Sequence, residues 1–194
     1  MPLDQCLVTR QAELERLGFQ VLQVEPETLI AGRRSFYWDC MFTFVNYTVF
    51  VRRVTALSVQ MLESERTQFL LRSKTLNPSS IPPGFQSGNA VLVVYIADQV
   101  DIDAQLFCEH QVRLGFAQFY IPAVLDLSRE STFLLRHTPL WGAVYYSKFR
   151  YILGRLLSPR GRPNQEPLSI SGVITALLVF LLFILPVIFF IFVS

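Results

Sequence analysis

Ala90-Val-Leu-Val-Val-Tyr-Ile-Ala97 is a continuous apolar run bounded by Asn89 and Asp98. A strand with one face in water alternates apolar and polar residues, whereas a strand covered on both faces has no such need. The run therefore predicts a buried strand within a sheet flanked by helices, the core of an α/β (mixed α+β) domain. Toward the C-terminus, Asp101 or Asp103 can cap a helix that reaches about Val112 and ends at Gly115. Phe116 to Leu127 is a second buried strand candidate, and Ser131 to Arg136 a further short one. Strand, helix and strand at this spacing fit a crossover unit.

Toward the N-terminus, Asn77 to Asn89 is dense in Pro, Ser and Gly and reads as a loop, a candidate partner-contact or lid segment. Thr55 to Lys74 lacks Gly and Pro and carries Leu57, Met61, Leu62, Phe69 and Leu70 among charged residues, the pattern of an amphipathic helix. Thr28 to Asp39 and Met41 to Arg53 are rich in β-branched and aromatic residues and predict two antiparallel strands meeting near Asp39-Cys40. Thr9 to Gly18 reads as a short helix with Thr9 as N-cap, Leu14 and Leu17 inward and Gly18 just past its end. Phe19 to Val24 alternates like a strand, which Pro26 closes.

Pro139 to Leu157 places Trp141, Val144, Tyr145, Phe149, Ile152 and Leu156 at helical spacing. We favour a last helix packed on the sheet. The alternative lays Trp141, Tyr145 and Phe149 in a membrane interface. Ser158 to Pro167 contains three prolines and few apolar residues, so residues 158–169 read as a stiffened tether between the domain (1–157) and the C-terminal end of the chain.

Residues 170–193 form an uncharged apolar run, and no charged side chain occurs after Glu166. As a helix it would extend roughly 36 Å against a hydrocarbon core of about 30 Å. One central Arg or Asp would oppose insertion by roughly 2.5–3.5 kcal/mol, and there is none. The sequence thus predicts one C-terminal transmembrane helix, with Gly172, Thr175 and Ala176 offering a close-approach face to a neighbouring helix. Residues 1–128 carry 10 basic and 13 acidic side chains, a net of −3, while residues 129–194 carry 7 and 2, a net of +5. Lys148, Arg150, Arg155, Arg160 and Arg162 therefore crowd beside the span, which predicts a cytoplasmic domain, with mild attraction to anionic lipid also compatible. Neither a signal peptide nor a lipid-anchor signal is expected from the flanking residues.

Three cysteines without a C-x-x-C pair suit a reducing compartment. Cys108 and His110 sit two apart on a helix, about 200° around its axis, and cannot share a metal. Asn46-Tyr-Thr48 matches a glycosylation sequon but lies in a strand expected on the cytoplasmic side. Asp98, Asp101 and Asp103 gather where a strand ends and a helix starts, a candidate ligand or cation cluster, with helix capping the plainer reading. Phosphate-loop, dinucleotide, esterase and zinc-protease motifs are not found. The order helix, strand, strand, strand, helix, strand over residues 9–97 resembles the core of restriction-endonuclease-like folds. That resemblance implies a metal site with an acid at one strand and an acid-x-Lys pair at the next. Asp39 stands for the first, but Met41 to Arg53 contains no Asp, Glu or Lys, so a degenerate domain without nuclease activity is the reading it supports.

The function expected is a tail-anchored, non-catalytic scaffold, assembly or regulatory subunit. It would dock on another membrane protein, or on itself through the span, with no cofactor, metal or nucleic acid. The competing reading is a membrane-tethered enzyme or ligand sensor using the acidic cluster.

Overall fold

The structure of the chain, a computed structural model, describes residues 5–38, 42–78, 87–110, 113–115, 117–138 and 143–158. The tether beyond Ser158 and the apolar run 170–193 lie outside the described residues. Among the described residues no helix is long and apolar enough to cross a membrane.

The elements follow as α1 (Gln5–Arg16), β1 (Gln20–Glu25), β2 (Thr28–Tyr37), β3 (Thr43–Leu57), α2 (Val59–Leu76), β4 (Ser87–Val100), α3 (Ile102–His110), β5 (Arg113–Gly115), β6 (Gln118–Asp126), β7 (Ser131–Phe133) and α4 (Ala143–Leu157). They build a mixed sheet in the order β1-β2-β3-β4-β6-β5, with β7 also pairing β6. β1, β2 and β3 form an antiparallel meander; β3, β4 and β6 run parallel, joined by crossovers through α2 and α3. β5 and β7 pair successive parts of the outer edge of β6, through Gln118–Tyr120 and Val124–Asp126. Pro122, which has no N–H to donate, sits in the gap between them.

The run that predicted a strand covered on both faces is β4. Leu92, Val94 and Ile96 lie in the core under α1 and α4, and Val91, Val93 and Tyr95 in the core under α2 and α3. Period-2 geometry sends successive side chains to opposite faces, so both faces of this strand must be apolar. α4 resolves the choice left by its aromatic stripe. Tyr146, Phe149, Ile152, Leu153, Leu156 and Leu157 are all buried on the sheet, so this face of the described helix belongs to the core.

Local chemistry sets several boundaries. α1 ends as expected at Gly18, whose φ of 78° only glycine adopts at little cost. Phe19 N–H donates to Leu14 O at 2.9 Å and Gly18 N–H to Glu15 O at 3.0 Å, the pair of bonds of a Schellman end. The N-cap assignment of Thr9 is corrected, because α1 begins earlier and the Thr9 hydroxyl donates to Gln5 O from inside the helix. α2 starts at Val59 instead of Thr55, with Ser58 as N-cap accepting from Met61 N–H at 3.3 Å. Thr55 to Leu57 stay in β3 because Ala56 and Leu57 pair with Gln99 and Val100. Likewise α3 stops at His110, and Arg113–Gly115 form β5 where a helix end was expected.

Candidate functional site

The far end of the β2–β3 hairpin carries the most exposed aromatic surface among the described residues. Phe36 pairs with Phe44 and Tyr37 with Thr43, the last rungs before the turn. Phe36, Trp38 and Phe42 are 49%, 71% and 62% exposed. With about 150–250 Å² per aromatic side chain, these three leave on the order of 400 Å² in water, the size of a functional patch on a monomer. Burial along β2 stops at Gly32, and α2 ends at the same level, where Asn77 Nδ2 donates to Tyr47 O at 2.7 Å. The residues past that level on this face are not covered by any described element. Phe36 stacks obliquely on Phe44 at 4.8 Å and meets Phe42 at 6.4 Å, and the Arg34 guanidinium lies 4.8 Å from the centre of the Phe44 ring. Phe42 has a φ of 55°, unusual for a bulky residue. On the other face the Tyr37 and Tyr47 hydroxyls are 2.9 Å apart, and Lys148 Nζ of α4 sits 3.6 Å over the Tyr37 ring.

A second cluster lies beneath α2. Glu65, buried, accepts from the Tyr95 hydroxyl at 3.0 Å and pairs with Arg52 at 2.9 Å. Burial, then the neighbouring Tyr120 and Glu65, push the Tyr95 hydroxyl far above the usual phenol range. Burial likewise raises Tyr120, whose hydroxyl neighbours that of Tyr95. The Cys108 thiol is pushed up to about 12 by burial and, secondarily, by Glu109. These groups hold their protons at neutral pH, and a protonated thiol is a poor nucleophile. The unfolded thiol loses its proton near pH ~8.5, so between there and about pH 12 the folded state binds more protons. The stability contributed by this group is complete below the lower value and is lost as pH rises through the upper. Replacing Cys108 with alanine is expected to flatten the alkaline fall in stability by up to about 1.4 kcal/mol per pH unit, read from urea midpoints at several pH values.

The acids anticipated as a cluster are separated by their partners. Asp98 accepts from Arg53 Nη2 at 2.5 Å, and Arg53 also donates to Val54 O and Ile96 O, so this pair fastens β3 to β4. Asp101 and Asp103 are exposed at the start of α3, where the Asp101 carbonyl accepts from Gln105 N–H. Among the described residues no three His, Cys, Asp or Glu side chains are placed to hold one metal ion. β3 contains no Asp, Glu or Lys, and Asp39 lies outside the described residues.

Of the basic residues near the predicted span, Arg155 is committed inside the domain. Its Nε donates to Glu13 at 2.5 Å, tying α4 to α1. Arg150 donates to the Thr138 hydroxyl at 2.8 Å, and Arg160 and Arg162 lie outside the described residues. Phe149 is fully buried, which speaks against the alternative that laid it in a membrane interface; Tyr145 is half-buried against Phe119 and Phe149. Trp141, Gly172, Thr175 and Ala176 lie outside the described residues. Asn46 of the sequon is buried, with its amide donating to Asn77 O. Sequence reading missed the stacking of His110 on His137 at 5.6 Å and the adjacent Glu109–Arg136 pair, which join residues far apart in the chain. It also missed the hairpin tip, although the density of rings in Phe36-Tyr-Trp38 and Phe42-Thr-Phe44 around a turn was a readable signal.

No model of a known protein family matches this chain, and no curated protein matches it.

Proposed function

We propose that the chain is a membrane-anchored, non-catalytic scaffold or regulatory domain that docks on another membrane protein from the cytoplasmic face. The observation that carries this reading is the uncharged run 170–193, which comes after a helix whose inner face is part of the domain core. An anchor attached there, through a short proline-containing tether, holds the folded body close to the bilayer. Lys148, Arg150, Arg155, Arg160 and Arg162 together supply the Lys/Arg excess that would orient the domain to the cytoplasmic side. The closed ion pairs of Asp98 and Glu65, and a thiol held protonated, favour a binding role over catalysis.

Gly172 and Ala176 supply the face on which a neighbouring helix would pack. The full chain extracted from its membranes in mild detergent is expected to travel in a particle larger than one chain. Gly172→Ile combined with Ala176→Ile should shrink that particle. A wild-type chain extracted as a lone monomer would overturn the scaffold reading.

A further inference from the structure

Bulky rings at the end of a hairpin have three common fates: burial in their own core, burial in a partner, or insertion at a membrane surface. The first is closed to Phe36, Trp38 and Phe42. The register Phe36↔Phe44 and Tyr37↔Thr43 fixes which face each strand residue presents, and Phe36 faces away from the side on which Tyr37 meets Lys148. A one-residue slip would reverse every side chain of β2 and move Leu29 and Ala31 out of the core they share with α1 and α4, so the register does not yield.

Three features of the chain select a lipid surface as the occupant. The rings themselves are Trp and Phe beside a Tyr, and aromatic side chains suit the boundary between headgroups and acyl chains. Cations flank them: Arg34 against Phe44 on one face and Lys148 over Tyr37 on the other, while Asp39 is the single acid in the stretch from Arg33 to Phe44. Cationic groups beside apolar rings match anionic headgroups above acyl chains. Third is reach. Lys148 lies beside the hairpin, and from it α4 runs to its end over about 15 Å at 1.5 Å per residue. Residues 159–169 can extend at most about 36–40 Å, so their length allows the run starting at residue 170 to enter the bilayer level with the hairpin tip.

We propose that the tip of the β2–β3 hairpin is a second membrane contact, inserting Phe36, Trp38 and Phe42 into the interfacial layer of an anionic bilayer. This rests on the membrane-anchored reading given above. Two contacts, one through the run that starts at residue 170 and one at the hairpin, orient the domain on the surface. The anchor alone would leave it free to swing. The sheet axis is then tilted so that the exposed end of the β2–β3 pair points at the lipid. The opposite end of the sheet, where Arg53 meets Asp98 and α3 begins, is left for partners.

The chain contains two tryptophans, so Trp141→Phe leaves Trp38 as the sole indole reporter, and Trp141→Tyr serves if that variant does not fold. The full chain carrying this change is reconstituted into phosphatidylcholine/phosphatidylserine liposomes, with acyl chains either plain or brominated. Flotation and Trp38 emission are read on the same sample. The expected result is flotation, with emission blue-shifted and reduced by about half in brominated lipid, as for an indole at the interface. Adding Phe36→Ser and Phe42→Ser should abolish the quenching while flotation persists, because those side chains are already exposed and the anchor is untouched. Flotation with Trp38 unquenched overturns the tip contact and leaves the anchor standing. That outcome reassigns the rings to a protein partner. Failure to float overturns both.

Discussion

Phe149→Ala is expected to lower the unfolding free energy by about 3–5 kcal/mol, the range for emptying a fully buried aromatic site. Phe149 is wholly buried, and its ring meets four others: Tyr47 at 5.9 Å, Phe119 at 5.2 Å, Tyr146 at 5.6 Å and Tyr145 at 6.3 Å. Tyr47 belongs to β3 and Phe119 to β6, so this one side chain fastens α4 across the central strands. Its neighbours are large, two of them held in the sheet and two on α4 itself, and poorly able to collapse into the space, which places the cost toward the upper end. Domains have only about 5–15 kcal/mol of stability in all, so the variant is expected to be marginal at best. The check is a denaturant midpoint against wild type. A loss below about 1 kcal/mol would mean that α4 does not pack as described and would reopen the interfacial reading of its aromatic stripe.

Glu13→Ala is expected to cost a similar amount, about 3–5 kcal/mol, because it removes one partner from a buried ion pair. The Arg155 and Glu13 side chains are 15% and 7% exposed, so little water is present to take the place of either charge. Arg10 is also buried nearby, with its charged form disfavoured chiefly by burial, and Cys6 and Glu13 are what oppose that. Deleting the carboxylate thus strands Arg155 and removes one of the two groups that favour the Arg10 charge. The additional contact to Arg16, on a 75% exposed side chain at 3.6 Å, contributes little. Replacing both Glu13 and Arg155 with leucine should recover the part of the loss that comes from stranding Arg155, since an apolar pair of similar volume needs no compensation, while Arg10 still lacks the Glu13 charge. A double-mutant cycle measures this directly, and additive losses would contradict the assigned coupling.

The parts of the fold legible in the sequence were those written in local pattern. Ala90 to Ala97 could only be a doubly covered strand, Gly18 could close α1 because no other residue sits easily at that φ, and Phe149, Ile152 and Leu156 lie on one helical face. The illegible parts depended on distant pairing. The end of β3 reads locally as the start of a helix, yet Ala56 and Leu57 stay extended because Gln99 and Val100 lie beside them. Asp98 sits close in sequence to Asp101 and Asp103, but the change from strand to helix between them turns it toward Arg53. Glu13 and Arg155 are 142 residues apart and have no signal in common. The hairpin tip is a subtler case. Phe36 and Phe44 are strand residues as read, whereas Trp38 and Phe42 lie just past the strand ends, and the exposure of the rings depends on where α2 stops, which is a property of the packed layers.

Whether residues 170–193 hold this domain at a bilayer is tested most directly by alkaline carbonate extraction of membranes containing the full chain. Carbonate strips proteins held by charge or by a partner's surface and leaves integral spans in place. The chain is predicted to stay in the membrane pellet, and to leave it when residues 170–193 are deleted. Release of the intact chain into the supernatant would contradict the anchor, and with it the proposed function and the hairpin contact.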